Sequence, residues 1–141
     1  MTKYVLGFIF DASAERVLLI EKQRPAWQAG KLNGIGGKIE PREKPVAAML
    51  REAYEECHLL SKVSDWLPAA TLRHAEWHIE VFTTVHTQNP HLLRTKTDEF
   101  VSWVDIKKLP PNILPNLSWL IPLSKDILQN REVKKVVVGY R

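Results

Sequence analysis

The chain has 141 residues, 45% of them apolar and 26% charged, with a net charge of +4 and a single cysteine, Cys57. That length suits one domain with a real core, the composition is ordinary for a globular protein, and one cysteine excludes an internal disulfide. Lys and Arg are scattered apart from "REVKK" near the end, which reads as a solvated edge or tail, so the charge favours a small anionic partner over nucleic acid.

The N-terminal apolar run "YVLGFIF" is too short to span a membrane, and no small-residue cleavage site follows it. A strand and a cytoplasmic location are expected. Residues 3–10 and 16–22 are apolar and β-prone, with "DASAE" turning between them. Residues 23–38 are broken by Pro25, Gly30, Gly34, Gly36 and Gly37, which predicts a loop with short extended pieces. Residues 45–57 predict a helix, with Pro45 in the first turn, where a missing N–H is harmless. Strands are predicted over 68–74 and 77–86. In the second, Trp77, Ile79, Val81, Thr83 and Val85 alternate with His78, Glu80, Phe82 and Thr84, which predicts one face more buried than the other. A loop over 88–98, a strand over 100–106 and a proline-punctuated connection follow. A second helix over 118–129, with Pro122 near its first turn, and a strand over 133–140 close the chain. Strands with a few interspersed helices point to an α+β fold in which helices cover a mixed sheet.

The first helix breaks local rules. At about 100° per residue, Val46, Leu50, Ala53, Tyr54 and Cys57 share one face, and Glu52, Glu55 and Glu56 share the opposite one. Glu52 and Glu56 are like charges four residues apart, in the last turns, where the helix dipole favours cations. Two readings stay open on the residues alone. One is a solvated acidic face partly neutralised by Arg51, which can reach Glu55. The other is a divalent-cation site, because hard oxygen ligands with room for water suit Mg²⁺ or Mn²⁺, ions that bind along with substrate phosphates. The upstream "GIGGK", where the backbone can approach a ligand, favours the second reading.

Residues 37–59 also carry a resemblance. The Nudix signature is Gly, five residues, Glu, seven residues, Arg-Glu, an apolar residue, any residue, Glu-Glu, any residue, Gly and an apolar residue. Gly37, Glu43, Arg51, Glu52, Ala53, Glu55, Glu56 and Leu59 match it, and only His58 departs, where the family has glycine. "AGKLNGIGGKIE", "TDEFVSWVDIKKLP" and "LPNLSWLIPL" are similar to further segments of MutT-type nucleoside triphosphatases, including those that remove oxidised purine nucleotides. The resemblance implies one Nudix domain, an α-β-α sandwich on a mixed sheet. It implies an enzyme, monomeric or homodimeric, that uses Mg²⁺, or Mn²⁺ in its place, to cut nucleoside triphosphates to monophosphate and pyrophosphate. The rival readings are hydrolysis of ADP-ribose, dinucleoside polyphosphates or capped RNA ends, and a module that senses a nucleotide without cutting it.

Carried onto this sequence, the resemblance assigns the metal to Glu52, Glu55 and Glu56, with the Gly37 carbonyl as a further ligand and Gly36 and Gly37 as part of the structural motif. Arg51 orients a glutamate, and Glu43 ties the loop to the helix. The general base stays open among Glu55, Glu56 and Glu99. Lys38 either meets a phosphate or is solvated. Asn33 and Asn116 fit positions whose amides bind the base, although Asn116, after Pro115, also suits a plain helix cap. Trp27 and Trp119 could stack on a base, with core packing as the default. His74 and His78 carry no metal expectation. Arg42 and Lys44 stand where many relatives have Gly and a small N-capping residue. His58 is expected to be a drifted cap with normal chemistry, because a non-glycine residue at positive φ costs about 1 kcal/mol.

Overall fold

The computed structural model describes residues 1–130 and 132–141. The elements are β1 (Thr2–Asp11), β2 (Arg16–Glu21), β3 (Leu32–Asn33), β4 (Ile35–Lys38), α1 (Pro45–Cys57), β5 (Leu67–Arg73), β6 (Trp77–His86), β7 (Val101–Asp105), α2 (Leu117–Gln129) and β8 (Val136–Gly139). The strands form a mixed sheet in the order β3-β2-β1-β6-β5-β8, with β4 also on β1 and β7 also on β2. β1 runs parallel to β6 from Thr2 opposite Trp77 to Asp11 opposite His86. It also pairs antiparallel with β4 over Tyr4–Gly7 and with β2 at Ile9 and Phe10. Asp11 closes the turn that follows, its Oδ1 accepting the Glu15 and Arg16 N–H groups at 3.1 Å. Among the described residues, no helix is long and apolar enough to cross a membrane.

Each face of the sheet carries one helix. Leu6, Phe8 and Phe10 of β1 point to the α2 side, where Leu117, Leu120, Ile121 and Ile127 cover them. Val5 and Ile9 point to the α1 side, against Ala48, Met49, Ala53 and Cys57. This α-β-α layering explains why β1 reads as an unbroken apolar run: a strand covered on both sides has no solvent face. Full burial of each large side chain such as Phe8, Phe10 or Leu120 contributes about 1.5–3 kcal/mol.

Two expectations are corrected here. Val81–Thr84 of β6 are buried on both faces, because the strand is flanked by β1 and β5 and covered by both helical layers. The Thr83 and Thr84 hydroxyls are satisfied there by the Phe8 and Asp65 carbonyls at 3.1 and 2.6 Å. Pro122 lies inside α2 rather than in its first turn. The preceding residues wind into the helix early, with the Leu117 N–H on Leu114 O at 3.0 Å, and the proline ring sits on the exposed side.

His58, the departure from the signature, and Arg42, at an unspecified position before the helix, both have a left-handed backbone. Arg42 closes the turn before the helix at φ 65, with the Glu43 N–H on Glu40 O at 3.0 Å. His58 ends the helix in the left-handed region at φ 66, its N–H on Tyr54 O at 3.1 Å. Both positions take a conformation that glycine adopts without strain. The loop before β7 serves the carbonyl end of α1 with one neutral donor and one cation. The Arg94 backbone N–H meets Cys57 O at 3.3 Å, and Lys96 Nζ reaches Tyr54 O at 3.3 Å and lies 3.6 Å from the centroid of the Tyr54 ring. Partial burial, followed by Arg94 and Lys96, lowers the His58 pKa.

Candidate active site

The face that α1 turns to the sheet is rotated from the polarity wheel: Ala53 and Cys57 are buried and Val46 and Leu50 pack partly against the core as expected, but the rotation brings Glu56 in and turns Tyr54 out. The buried residues are Ala48, Met49, Ala53, Glu56 and Cys57, while Tyr54 is exposed. Glu56 is only 9% exposed and the Glu52 side chain 12%, whereas the Glu55 side chain is 54% exposed. Two of the three carboxylates therefore face the sheet and the third faces outward. A polarity wheel cannot anticipate this, because the room for the acids is made by β4. A Cβ on Gly37 would lie 2.5 Å from Glu52 Oε1, a distance that only glycine avoids.

Arg51 organises this end. Its Nε and Nη2 grip both oxygens of Glu43 at 2.8 and 2.9 Å, and Nη2 also reaches Lys38 O at 3.0 Å. Nη1 donates to Glu52 Oε1 at 2.9 Å and to Glu55 Oε2 at 3.4 Å. The guanidinium thus joins the end of β4, the loop before α1 and the acidic turn of the helix through charge-assisted bonds. The Arg51 fork, helped by the Glu40 N–H, holds the Glu43 carboxyl down at about 2.

Glu56 is in the opposite situation. Its Oε2 is buried with no hydrogen-bond partner. Burial, then the Glu52 carboxyl and to a lesser degree Glu99, pushes its pKa up to about 9 against the pull of Lys22. Glu99 is also buried, in the loop before β7. It accepts from Lys22 Nζ at 3.1 Å and from the Gln23 N–H at 2.6 Å. Burial alone would raise the Glu99 carboxyl, but the Gln23 N–H and the Lys22 ammonium hold it below its ordinary value. Neighbouring Asp98 pairs instead with Arg24.

These residues fit a divalent cation. Among the described residues no His, Cys, Asp and Glu side chains are already closed into a metal cluster, since Arg51 Nη1 holds Glu52 and Glu55. Yet an orphaned buried carboxylate oxygen beside a second glutamate, in a recess left open by a missing Cβ, is a hard-oxygen donor set with one acceptor still unmet.

A cavity of about 1040 Å³ is lined by Gly36 and Gly37, and Gly37 also abuts Glu52 in this recess. Asn33, Asn116, Trp27 and Trp119 are brought together on its walls. The tryptophans are 65% and 39% exposed, so neither packs in the core. Asn116 directly precedes α2 but makes no capping bond, and its Nδ2 donates to the Tyr140 hydroxyl at 3.3 Å. Asn33 Oδ1 accepts the Gly34 N–H at 2.8 Å. Lys38 is exposed and lines a separate cavity of about 410 Å³ with Lys3 and Arg42. His74 stacks on Trp77 at 5.2 Å, and its ring accepts from the Glu76 N–H, with no part in either cavity. Sequence reasoning missed Lys22, which links the cavity to Glu99. In the sequence it is one unremarked lysine at the end of a strand.

Comparisons with known proteins agree with this architecture. The family model described as NUDIX domain matches residues 2–125. A structure of MutT from Aliivibrio salmonicida and Vibrio cholerae is 19% identical with a TM-score of 0.67, over 87% of this chain and 96% of the other. A MutT NUDIX hydrolase from Burkholderia pseudomallei is 20% identical with a TM-score of 0.72, over 86% and 96%. The NUDIX domain of Shewanella oneidensis NrtR, complexed with ADP ribose, is 16% identical with a TM-score of 0.71, over 89% and 87%. At these identities the structural likeness establishes the fold.

Proposed function

Because this chain belongs to the Nudix hydrolase family, we propose that it is a Mg²⁺-dependent pyrophosphohydrolase that cuts nucleoside triphosphates to monophosphate and pyrophosphate, with oxidised or otherwise non-standard purine nucleotides as its preferred substrates. The observation that carries this reading is adjacency. The recess holding Glu52 and the unpartnered Glu56 oxygen shares Gly37 with a cavity walled by Trp27, Trp119, Asn33 and Asn116. A polyphosphate needs the first and a base needs the second.

Glu52, Glu55 and Glu56 would hold the cation, with the Gly37 carbonyl beside them. When bound, it neutralises phosphate charge and eases ionisation of the attacking water. Arg51 fixes Glu52 from behind and ties it to Glu43. Lys22 offers its ammonium to the phosphate chain from the cavity wall. Glu99 is engaged by Lys22 and Gln23, which leaves Glu55, bonded only to Arg51 through Oε2 at 3.4 Å, as the freer proton acceptor. Trp27 and Trp119 supply ring faces for stacking, and the two asparagines supply polar contacts to the base edge.

The test is a panel of natural and oxidised nucleoside triphosphates with Mg²⁺, read by pyrophosphate release. The reading expects release of pyrophosphate and monophosphate from at least one purine nucleotide. An uncut panel overturns it. ADP-ribose belongs in the same panel, because a Nudix domain of this fold is known with ADP ribose bound. Its cleavage to AMP and ribose phosphate, with the triphosphates intact, would favour that rival. A non-cutting sensor would bind nucleotide equally in wild type and Glu55→Gln, with no turnover in either.

A further inference from the structure

One wall of the cavity comes from beyond the residues matched by the family model. β8 and Tyr140 follow residue 125, yet Val138, Gly139 and Tyr140 line the cavity. β8 lies parallel to β5, with Gly139 opposite Arg73, and the Tyr140 N–H donates to Arg73 O at 2.6 Å. The Tyr140 ring meets Trp77 edge-on with centroids 5.1 Å apart. Backbone and ring are therefore both anchored, and the hydroxyl sits at a set place, where it accepts from Asn116 Nδ2 at 3.3 Å.

A tyrosine hydroxyl can donate or accept, and in this structure it accepts, which leaves one end of Asn116 free. A carboxamide has one donor end and one acceptor end. With Nδ2 turned to Tyr140, Oδ1 is the end left for a ligand. Asn33 is set the other way, because its Oδ1 is taken by the Gly34 N–H while Nδ2 reaches Gln28 Oε1 only at 3.5 Å. The Leu32–Ile113 bridge and the Leu114 N–H on Leu32 O, at 3.0 Å, run the two asparagine-bearing segments side by side. The cavity wall thus presents an acceptor at Asn116 and a donor at Asn33.

We infer that Tyr140 is a positioning residue for base selection: it turns the Asn116 amide so that the cavity takes a base whose edge carries an N–H donor beside an acceptor. The inference rests on the reading of the cavity as the base site. It goes beyond that reading by assigning the selection to a residue outside the matched domain.

The experiment reads binding rather than turnover. Trp27, Trp77 and Trp119 line the cavity, so a bound base quenches their fluorescence. IMP offers an N–H donor and a carbonyl acceptor, whereas purine riboside monophosphate offers an acceptor alone. Wild type should bind IMP about tenfold more tightly, the scale of one hydrogen bond and the group left unpaired without it. Tyr140→Phe keeps the ring on Trp77 and the melting temperature, and should cut the preference to about twofold or less, because the freed amide can rotate. Val137→Thr alters the same strand at a 55% exposed position that does not line the cavity, and should keep the tenfold preference. The inference is overturned if Tyr140→Phe retains the preference, if Val137→Thr loses it equally, or if neither nucleotide quenches the wild type. A chain that binds with this preference but cuts nothing loses the proposed activity and keeps the inference. One that cuts triphosphates with Tyr140→Phe unaltered in preference does the reverse.

Discussion

At the carboxylate end of the site, Arg51 donates five hydrogen bonds to Glu43, Glu52, Glu55 and the Lys38 carbonyl. At the cavity end, the amides of Asn33 and Asn116 reach side-chain partners at 3.5 and 3.3 Å, and Trp27 is 65% exposed. On the proposed function, phosphate chemistry tolerates little displacement, and Glu43 and Glu52 are held to the sheet and the loop through Arg51. On the same reading, base recognition would rest on a few rings and amides around open space, which can be altered without disturbing that grip. Substitutions at the first end should therefore change metal affinity and stability. Those at the second should change binding alone.

The largest effect is expected at Gly37→Ala. A Cβ 2.5 Å from Glu52 Oε1 must push that carboxylate aside, and Mn²⁺ affinity measured by calorimetry should fall by about 10- to 100-fold. An unchanged affinity would mean that Glu52 is not a ligand. Arg51→Lys comes next, because an ammonium cannot reproduce the fork and leaves Glu43 and Glu52 short of partners. Urea denaturation should show a loss of about 2 kcal/mol, the buried-pair value being reduced by the partial exposure of the group. At the cavity end, Trp27→Ala should weaken nucleotide binding by about tenfold, at the lower part of the range for base stacking, with the melting temperature unmoved. A large fall in melting temperature there would break the contrast between the two ends. The smallest effect is expected at His58→Gly, which relieves a left-handed residue and should raise stability by about 1 kcal/mol in the same denaturation assay, with turnover retained.

Much of the scaffold was legible because local rules decide it. β1, α1 and the turn at Asp11 follow from apolar runs, a first-turn proline and an acidic turn residue. Residues 37–59 were legible as the Nudix signature through the resemblance, whereas the residues alone left a solvated acidic face and a cation site both open. Legibility failed where a distant element decides. Room for the Glu52 carboxylate depends on Gly37 of the β4 strand opposite, so a wheel drawn from α1 alone placed Ala53 and Cys57 correctly but left the acids outside and Tyr54 inside. The cation at the α1 C-terminus is Lys96, and the Arg94 backbone N–H beside it satisfies the Cys57 carbonyl, both from far along the chain. The parallel pairing of β1 with β6 brings residues far apart in the sequence into register, and Tyr140 reaches Asn116 only because β8 returns beside β5. Pro122 is placed inside α2 because the helix starts at Leu117, a buried apolar residue before the expected start at Ser118.

The central claim is that the buried Glu56 Oε2 lacks a partner because that oxygen is placed for a divalent cation, and the ionisation of Glu56 tests this most directly. Its folded pKa is raised from 4.5 to about 9, so between those values the folded state holds a proton that the unfolded state has lost. Stability from this group is fully present below pH 4.5 and is lost as pH rises towards 9, by on the order of a few kcal/mol. The measurement is thermal and urea unfolding across that window, with and without Mg²⁺, in wild type and Glu56→Gln. The metal-free wild type should lose stability as pH rises, Glu56→Gln should flatten that loss, and saturating Mg²⁺ should restore the wild type at high pH while doing little for the variant. A flat wild-type profile, or equal stabilisation of both proteins by Mg²⁺, would contradict the account.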